Sequence, residues 1–219
     1  MGAIQIAVYG GGGFAREVAW LVQSCNRSSH RYDVVCFIDD NEALHGSELN
    51  GVMVMSLEAA RARFPDAKVV CAVGSPKVRE QIARKAADVG FSFEIIIHPN
   101  VERSQWIDIA EGVVICAGNI LTTNITLGRH VQINLDCTIG HDVILGDFTT
   151  LAPGVHVSGW VHMGRRVHVG TGAVIINGTS DHPLVIEDDA VIGAGACVTK
   201  RIAAGTTVVG VPARPLERR

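Results

Sequence analysis

Long apolar runs, paired cysteines and an excess of either charge are all missing from this 219-residue sequence. No stretch approaches eighteen unbroken apolar residues and no basic-then-apolar leader is present, so neither export nor membrane spanning is expected, and the protein is placed in the cytoplasm. The six cysteines (Cys25, Cys36, Cys71, Cys116, Cys137 and Cys197) lie far apart with no C-x-x-C pair. That suits buried reduced thiols better than a disulfide framework or a zinc site. A net charge of −3 offers nothing to nucleic acid or to an acidic membrane surface, which leaves a small molecule as the expected partner.

What the chain does have is a period of six. Twelve aliphatic residues recur at every sixth position from Ile109, Ile115 and Leu121 through to Val169 and Ile175. At 47% hydrophobic residues, such a run arises by chance in a given register with a probability of roughly 10⁻⁴. Six fits neither a helix nor a heptad. It suits short strands that each point one aliphatic side chain inward, the hexapeptide β-helix pattern, in which three hexads close one triangular coil and residues eighteen apart stack. Val113, Ile125, Val131, Val143, Val155, Val161 and Val167, two places before the aliphatics, fill the strand edges, and Gly128, Gly140, Gly146, Gly164 and Gly170 supply the bends. The count breaks after Ile175 and resumes out of phase at Ile186, Ile192 and Val198. The intervening loop, Asn177 to Pro183, is either part of a binding site or a tolerated surface insertion.

Before about Val101 the hexad is absent and apolar runs alternate with helical stretches, the sign of an α/β unit with a parallel sheet. Two domains are therefore expected, 1–100 and 101–219. Ile4 to Val8 reads as a strand, Gly10 to Gly13 as a tight turn, and Phe14 to Gln23 as a helix with Val18, Leu21 and Val22 inward. A second strand, Val34 to Ile38, ends in Asp39 and Asp40; a third, Lys68 to Val73, ends in Gly74-Ser75-Pro76 ahead of a helix from about Lys77 to Val89. The stretch Gly10-Gly11-Gly12-Gly13-Phe14-Ala15 fits G-x-G-x-x-A, and Asp39 stands after the next strand, where an acid often meets a ribose hydroxyl. Four or five strands are too few for a dinucleotide fold, so half a site, suited to one nucleotide, is expected, with phosphate at the helix N-terminus. The competing reading is a glycine turn that merely packs helix on strand.

Among nine histidines, His156, His162 and His168 are six apart, hence on three successive faces of a coil, and cannot together bind a metal within one chain. His141 differs because it follows Ile139-Gly140 at a bend and precedes Asp142. An imidazole, with an ordinary pKa near 6.5, can take a proton from an attacking amine or hydroxyl, and a carboxylate, Asp142 or Asp136, would fix its tautomer. Gly159, eighteen residues on, stacks over His141, and its N–H could reach an oxyanion there. The alternatives are a surface histidine in a turn and one more bend glycine.

Two further motifs carry a resemblance: Ile192-Gly193-Ala194-Gly195-Ala196 and the ending Val209-Gly210-Val211-Pro212-Ala213-Arg214-Pro215. From about Ile107 onward the chain resembles the hexapeptide-repeat, left-handed β-helix acyltransferases. With the Gly10 to Gly13 turn and Asp39-Asp40, nearly the whole chain is similar to the bacterial nucleotide-sugar N-acetyltransferases of surface-glycan (O-antigen) synthesis. The sialic acid O-acetyltransferases are near relatives.

The resemblance implies a Rossmann-like α/β domain before a left-handed parallel β-helix, homotrimers with active sites between subunits, acetyl-CoA along the solenoid, no metal, and His141 as base. Gly12, Gly13, Phe14, Asp39, Asp40 and Gly74 would face the nucleotide-sugar. Asn134, Thr150, Thr171 and Ala194 would face acetyl-CoA, with Gly159 beside the reacting acetyl group. Phe14 and Thr150 replace residues that are often histidine in relatives, which touches substrate contacts rather than chemistry. The expected reaction is direct attack of a sugar amine, deprotonated by His141 with Asp142 behind it, on the acetyl-CoA thioester. Rival readings are O-acetylation of a free sugar such as sialic acid, a zinc-dependent hydratase with intersubunit histidines, and a non-catalytic nucleotide-binding scaffold.

Overall fold

A computed structural model describes residues 2–27 and 31–216. The chain divides into two compact units, Met1–Pro99 and Asn100–Arg219. Among the described residues no helix is long and apolar enough to cross a membrane.

The first unit runs β1 (Ile4–Tyr9), α1 (Gly13–Cys25), β2 (Tyr32–Ile38), β3 (Glu48–Leu49), β4 (Val52–Met55), α2 (Leu57–Arg63), β5 (Lys68–Cys71), α3 (Pro76–Asp88) and β6 (Ser92–Phe93). One sheet holds all six strands in the order β3-β4-β2-β1-β5-β6; β3 is antiparallel to β4 and every other pairing is parallel. Ile6, Val8, Phe37, Ile38, Val69 and Val70 are wholly buried, as continuous apolar strands covered on both faces should be. Chain order reverses between β1, which crosses to β2, and β5, reached from β4 by α2. The crevice at that reversal is where open α/β sheets take their ligands. Gly10 turns the chain there, with φ of 134° and so little room that a Cβ would lie 2.8 Å from the Ala72 carbonyl oxygen.

The second unit is a parallel β-helix of three sheets whose strands stack eighteen residues apart: Ile115 on Ile133 on Leu151, Leu121 on Ile139 on Val157, Leu127 on Leu145 on Met163. We call these the first, second and third sheets. Eleven of the twelve hexad aliphatics are buried, and Ile109, the earliest, is half-buried. Val113, Ile125, Val131, Val143, Val155, Val161 and Val167 are buried as well. The loop after Ile175 lengthens the stacking interval in all three sheets, where Met163 pairs with Ile186, Val169 with Ile192 and Ile175 with Val198.

The corners correct one expectation. Gly128, Gly140, Gly146, Gly164 and Gly170 do not make the bends, since none has a positive φ. They are glycine because the next coil lies against them: a Cβ at Gly146 would be 2.5 Å from the Gly164 backbone, and one at Gly170 would be 2.6 Å from the Ala194 nitrogen. The left-handed bends fall three residues after each inward aliphatic, at Gly112, Gly118, Asn124, His130, Asp136, Asp142 and onward every six to Gly172. Bulky residues occupy some of them. Phe148 stacks on His130 at 5.0 Å, and Arg166 makes a two-pronged ion pair with Asp189 (2.7 and 2.8 Å), contacts that offset the roughly 1–2 kcal/mol a non-glycine residue costs in that conformation.

All six cysteines are free thiols. Burial pushes Cys36 and Cys71 up to about 12 and Cys137 up to about 11, so these three pack rather than react.

Candidate active site

The strand Thr138–Ile139 of the second sheet ends at Gly140, and the chain rounds the corner toward the third sheet through His141 and Asp142. Asp142 takes φ of 56°, which aspartate tolerates better than most residues. Its amide donates to the Thr123 carbonyl at 3.1 Å and fixes the corner to the coil below. Its carboxylate folds back on the preceding residue: Oδ2 lies 2.8 Å from His141 Nδ1, while Oδ1 accepts from Asn124 Nδ2 at 3.3 Å. A carboxylate only accepts, so Nδ1 carries the proton and Nε2 presents its lone pair. Between the two acids the sequence leaves open, the geometry therefore selects Asp142. Asp136 stands one corner earlier with its carboxylate crowded against Gly118.

Gly159 lies one coil on, beneath the imidazole. A Cβ there would be 2.6 Å from both Cε1 and Nε2 of His141, so the ring occupies the space that a side chain would need. The Trp160 amide donates to the His141 carbonyl at 3.0 Å, the Gly159 carbonyl accepts from Gly178 N–H at 3.0 Å, and the Gly159 N–H has no acceptor among the described residues. Trp160 meets the imidazole edge-on, with ring centroids 6.2 Å apart. The His141 side chain is 54% exposed. A solvent-facing lone pair and a spare N–H on adjacent coils can take a proton from a nucleophile and hold a developing oxyanion.

In the first unit, α1 has Gly12 as its N-cap, with no side-chain cap and no acid in its first turn, which leaves amides open for an anion such as phosphate. Gly12 and Gly13 are exposed and Phe14 half-buried at that mouth. Asp39 lies beside it, close enough that a Cβ on Gly11 would be 2.7 Å from its Oδ2. Asp40 is already engaged, by Tyr9 Oη at 2.6 Å and Lys85 Nζ at 2.7 Å. Burial works to raise its pKa, yet these two donors hold the carboxyl below its ordinary value. Asp39 and Asp40 line a cavity of about 470 Å³ together with Tyr9, His45, Ser56 and Lys85, within the range of small-molecule sites. Gly12, Gly13, Phe14 and Gly74 do not line it.

Gly74 follows β5, and the shape of its loop rests on a residue that sequence reasoning misses. Arg79 of α3 is wholly buried, and its Nη1 donates to the carbonyls of Val73 at 2.8 Å and Gly74 at 3.3 Å. The signal is in the helix: position 79 falls on the inner face with Ile82, Ala83 and Ala86, where a charge is out of place unless it has buried partners.

The remaining candidates gather elsewhere. Asn134, Thr171 and Ala194 share the corner between the first and second sheets, one strand away from the His141 corner. Thr171 and Ala194 sit on adjacent coils there, linked by the bond from Gly195 N–H to the Thr171 carbonyl. Thr150 stands apart from both groups, buried on the first sheet between Gln132 and His168. His156, His162 and His168 fall on the second, third and first sheets.

Residues 5–86 match the PglD N-terminal domain family. Over 213 residues, 96% of both chains, the sequence is 32% identical to the GDP-perosamine N-acetyltransferase of Escherichia coli O157:H7. The chain belongs to the hexapeptide-repeat nucleotide-sugar N-acetyltransferases. Within this acetyltransferase family, two solved structures superpose over almost their full length. The acetyltransferase domain of PglB from Neisseria gonorrhoeae FA1090, in complex with acetyl coenzyme A, is 31% identical, with a TM-score of 0.87, over 98% of this chain and 100% of that one. PerB from Caulobacter crescentus, in complex with CoA and GDP-perosamine, is 27% identical, with a TM-score of 0.84, over 99% and 98% of the two chains.

Proposed function

We propose that this enzyme moves acetyl from acetyl-CoA to the amine of a nucleotide-linked 4-amino sugar of the GDP-perosamine kind. The observation that carries this reading is the His141 corner, where Asp142 fixes the Nδ1 proton and the ring lies over a glycine with a spare N–H. The chemistry of the donor set fits the two substrates. Nε2 of His141 accepts the amine's proton as nitrogen attacks the thioester carbonyl, and the Asp142 carboxylate stabilises the imidazolium so formed. The Gly159 N–H holds the oxyanion of the tetrahedral intermediate. His141 then returns the proton as the coenzyme A thiolate leaves, so no acyl-enzyme forms.

Residues 1–100 serve the nucleotide: the α1 amides at Gly12, Gly13 and Phe14 take phosphate, the loop at Gly74 walls the crevice, and Asp39 meets the ribose, with Asp40 held beside it by Lys85. Residues 101–219 serve the transfer. Asn134, Thr171 and Ala194 lie at a different corner from His141, so an acetyl-CoA held by them reaches the histidine of a neighbouring subunit, which supports a homotrimer. Thr150 is a weak acetyl-CoA contact in this arrangement because it is buried within its own chain. The reaction is placed in the cytoplasm, where acetyl-CoA and nucleotide-sugars are made.

The test is free-thiol release from acetyl-CoA with UDP-, GDP- and dTDP-linked 4-amino sugars and with free sialic acid, competed by each nucleoside diphosphate. Turnover of one nucleotide-sugar, inhibited by its own diphosphate and giving an amide by NMR, supports the reading. Turnover of the free sugar with no effect of any diphosphate overturns it.

A further inference from the structure

The polar turn from Asn177 to Pro183 has no part in the chemistry above, yet it stands on the same corner as His141. Both of its ends are pinned to the coil beneath: Gly178 N–H bonds the Gly159 carbonyl at 3.0 Å, and Leu184 N–H bonds the Trp160 carbonyl at 2.9 Å. Position 178 accepts only glycine, since a Cβ would lie 2.5 Å from the Trp160 carbonyl oxygen. Between these ends Thr179 N–H donates to the His182 carbonyl at 3.0 Å and His182 N–H to Thr179 Oγ1 at 3.1 Å, which closes the turn and leaves residues 179–182 exposed at its tip.

Stacked strands are about 4.8 Å apart, so the base of the turn is one spacing beyond Gly159 and two beyond the His141 backbone. Because the imidazole itself lies over Gly159, a molecule reacting at Nε2 has this turn as its neighbour on the far side. The composition of the turn chooses between the two substrates. Asn177, Thr179, Ser180, Asp181 and His182 are all polar, and no lysine, arginine or large apolar side chain is present. Such a surface suits a hydroxylated sugar carrying an ammonium group. It suits neither the apolar arm nor the phosphates of coenzyme A, which Asp181 would repel. The side chains of Asp181 and His182 make no hydrogen bond or ion pair with any described residue.

We infer that the 177–183 turn is the acceptor-side lip of the His141 site, with Asp181 meeting the ammonium of the incoming amino sugar and Thr179, Ser180 and His182 its hydroxyls. This rests on the acetyl-transfer reading. Asp181 acts on binding: the bound ammonium first gives one proton to solvent to become the free amine, and His141 takes the second as nitrogen attacks. Asp181 therefore governs KM for the amino sugar and not kcat.

The experiment is steady-state kinetics of wild type, Asp181→Asn, Asp181→Glu and His182→Ala, with each substrate varied in turn. For Asp181→Asn the expected result is a rise of about tenfold in KM for the amino sugar, with kcat and KM for acetyl-CoA within about twofold of wild type. Asp181→Glu should recover much of the loss, and an unchanged Tm would show that the exposed turn has not altered the fold. An unchanged amino-sugar KM in Asp181→Asn, or a rise in the acetyl-CoA KM instead, overturns the lip while leaving acetyl transfer intact. If wild type releases no thiol with any nucleotide-linked amino sugar, acetyl transfer itself has failed and the lip falls with it.

Discussion

Replacing Gly159 by alanine tests whether the packing of His141 on its neighbouring coil is what makes the histidine useful. The added Cβ would lie 2.6 Å from Cε1 and Nε2, whereas ordinary contact begins at 3.4 Å, so the ring must retreat by about 0.8 Å or rotate away. The ring has somewhere to go, because the side chain is 54% exposed, but moving it stretches or breaks the 2.8 Å bond to Asp142. A misplacement near 1 Å costs about 100-fold in rate. The expected outcome is therefore a kcat for thiol release about 100-fold below wild type, with Tm lowered by no more than a few degrees because strain is relieved into solvent. A Gly159→Ala enzyme with wild-type kcat would refute the reasoning, as would a loss of activity that merely tracks unfolding by circular dichroism.

Three further outcomes follow from the same geometry. In Asp142→Asn the amide can turn its NH₂ toward Nδ1 and move the imidazole proton to Nε2, so kcat should fall between about 10² and 10⁴-fold while both KM values change little. Arg79→Ala removes a buried donor to the Val73 and Gly74 carbonyls and leaves a void; urea denaturation should show a loss of about 3 kcal/mol, and a surface-like loss below about 0.5 kcal/mol would contradict the assigned role. Lys85→Met probes Asp40, whose carboxyl is held below its ordinary 3.8 in the folded chain. A depressed pKa stabilises above the unfolded value and loses that contribution as pH falls through the folded one. The wild-type advantage in Tm should accordingly be present at neutral pH and shrink as pH drops below 3.8. An advantage that grows in acid would show that the pair does not act in this way.

The solenoid was legible because a single buried column per sheet demands an aliphatic residue at every sixth position; the count loses phase at the loop after Ile175, yet aliphatic still stacks on aliphatic across it, Met163 on Ile186. The bends were not, because the left-handed positions carry glycine, asparagine, aspartate, histidine, phenylalanine, tryptophan and arginine in turn; only their spacing is constant. Glycines at Gly140 and Gly146 look like bends in sequence and are instead close approaches between coils. In the first unit β4 and α2 escape notice because four and seven residues give too few periods to recognise. His141 and its stacking with Gly159 follow from counting eighteen along the chain. Which acid serves the histidine depends on the left-handed backbone of Asp142, which turns its side chain back over the preceding residue, and no pattern of residue types conveys that.

The most direct test of the account is kcat for thiol release in His141→Ala against wild type, at saturating acetyl-CoA and nucleotide-linked amino sugar, with binding of the nucleotide-sugar measured alongside by calorimetry. The account predicts a fall of about 10³-fold in kcat with nucleotide-sugar affinity unchanged, because the base acts on the proton and the nucleotide is held by the other unit. A variant that keeps its rate within about tenfold of wild type would show that the proton leaves by another route and would contradict the central role given to His141.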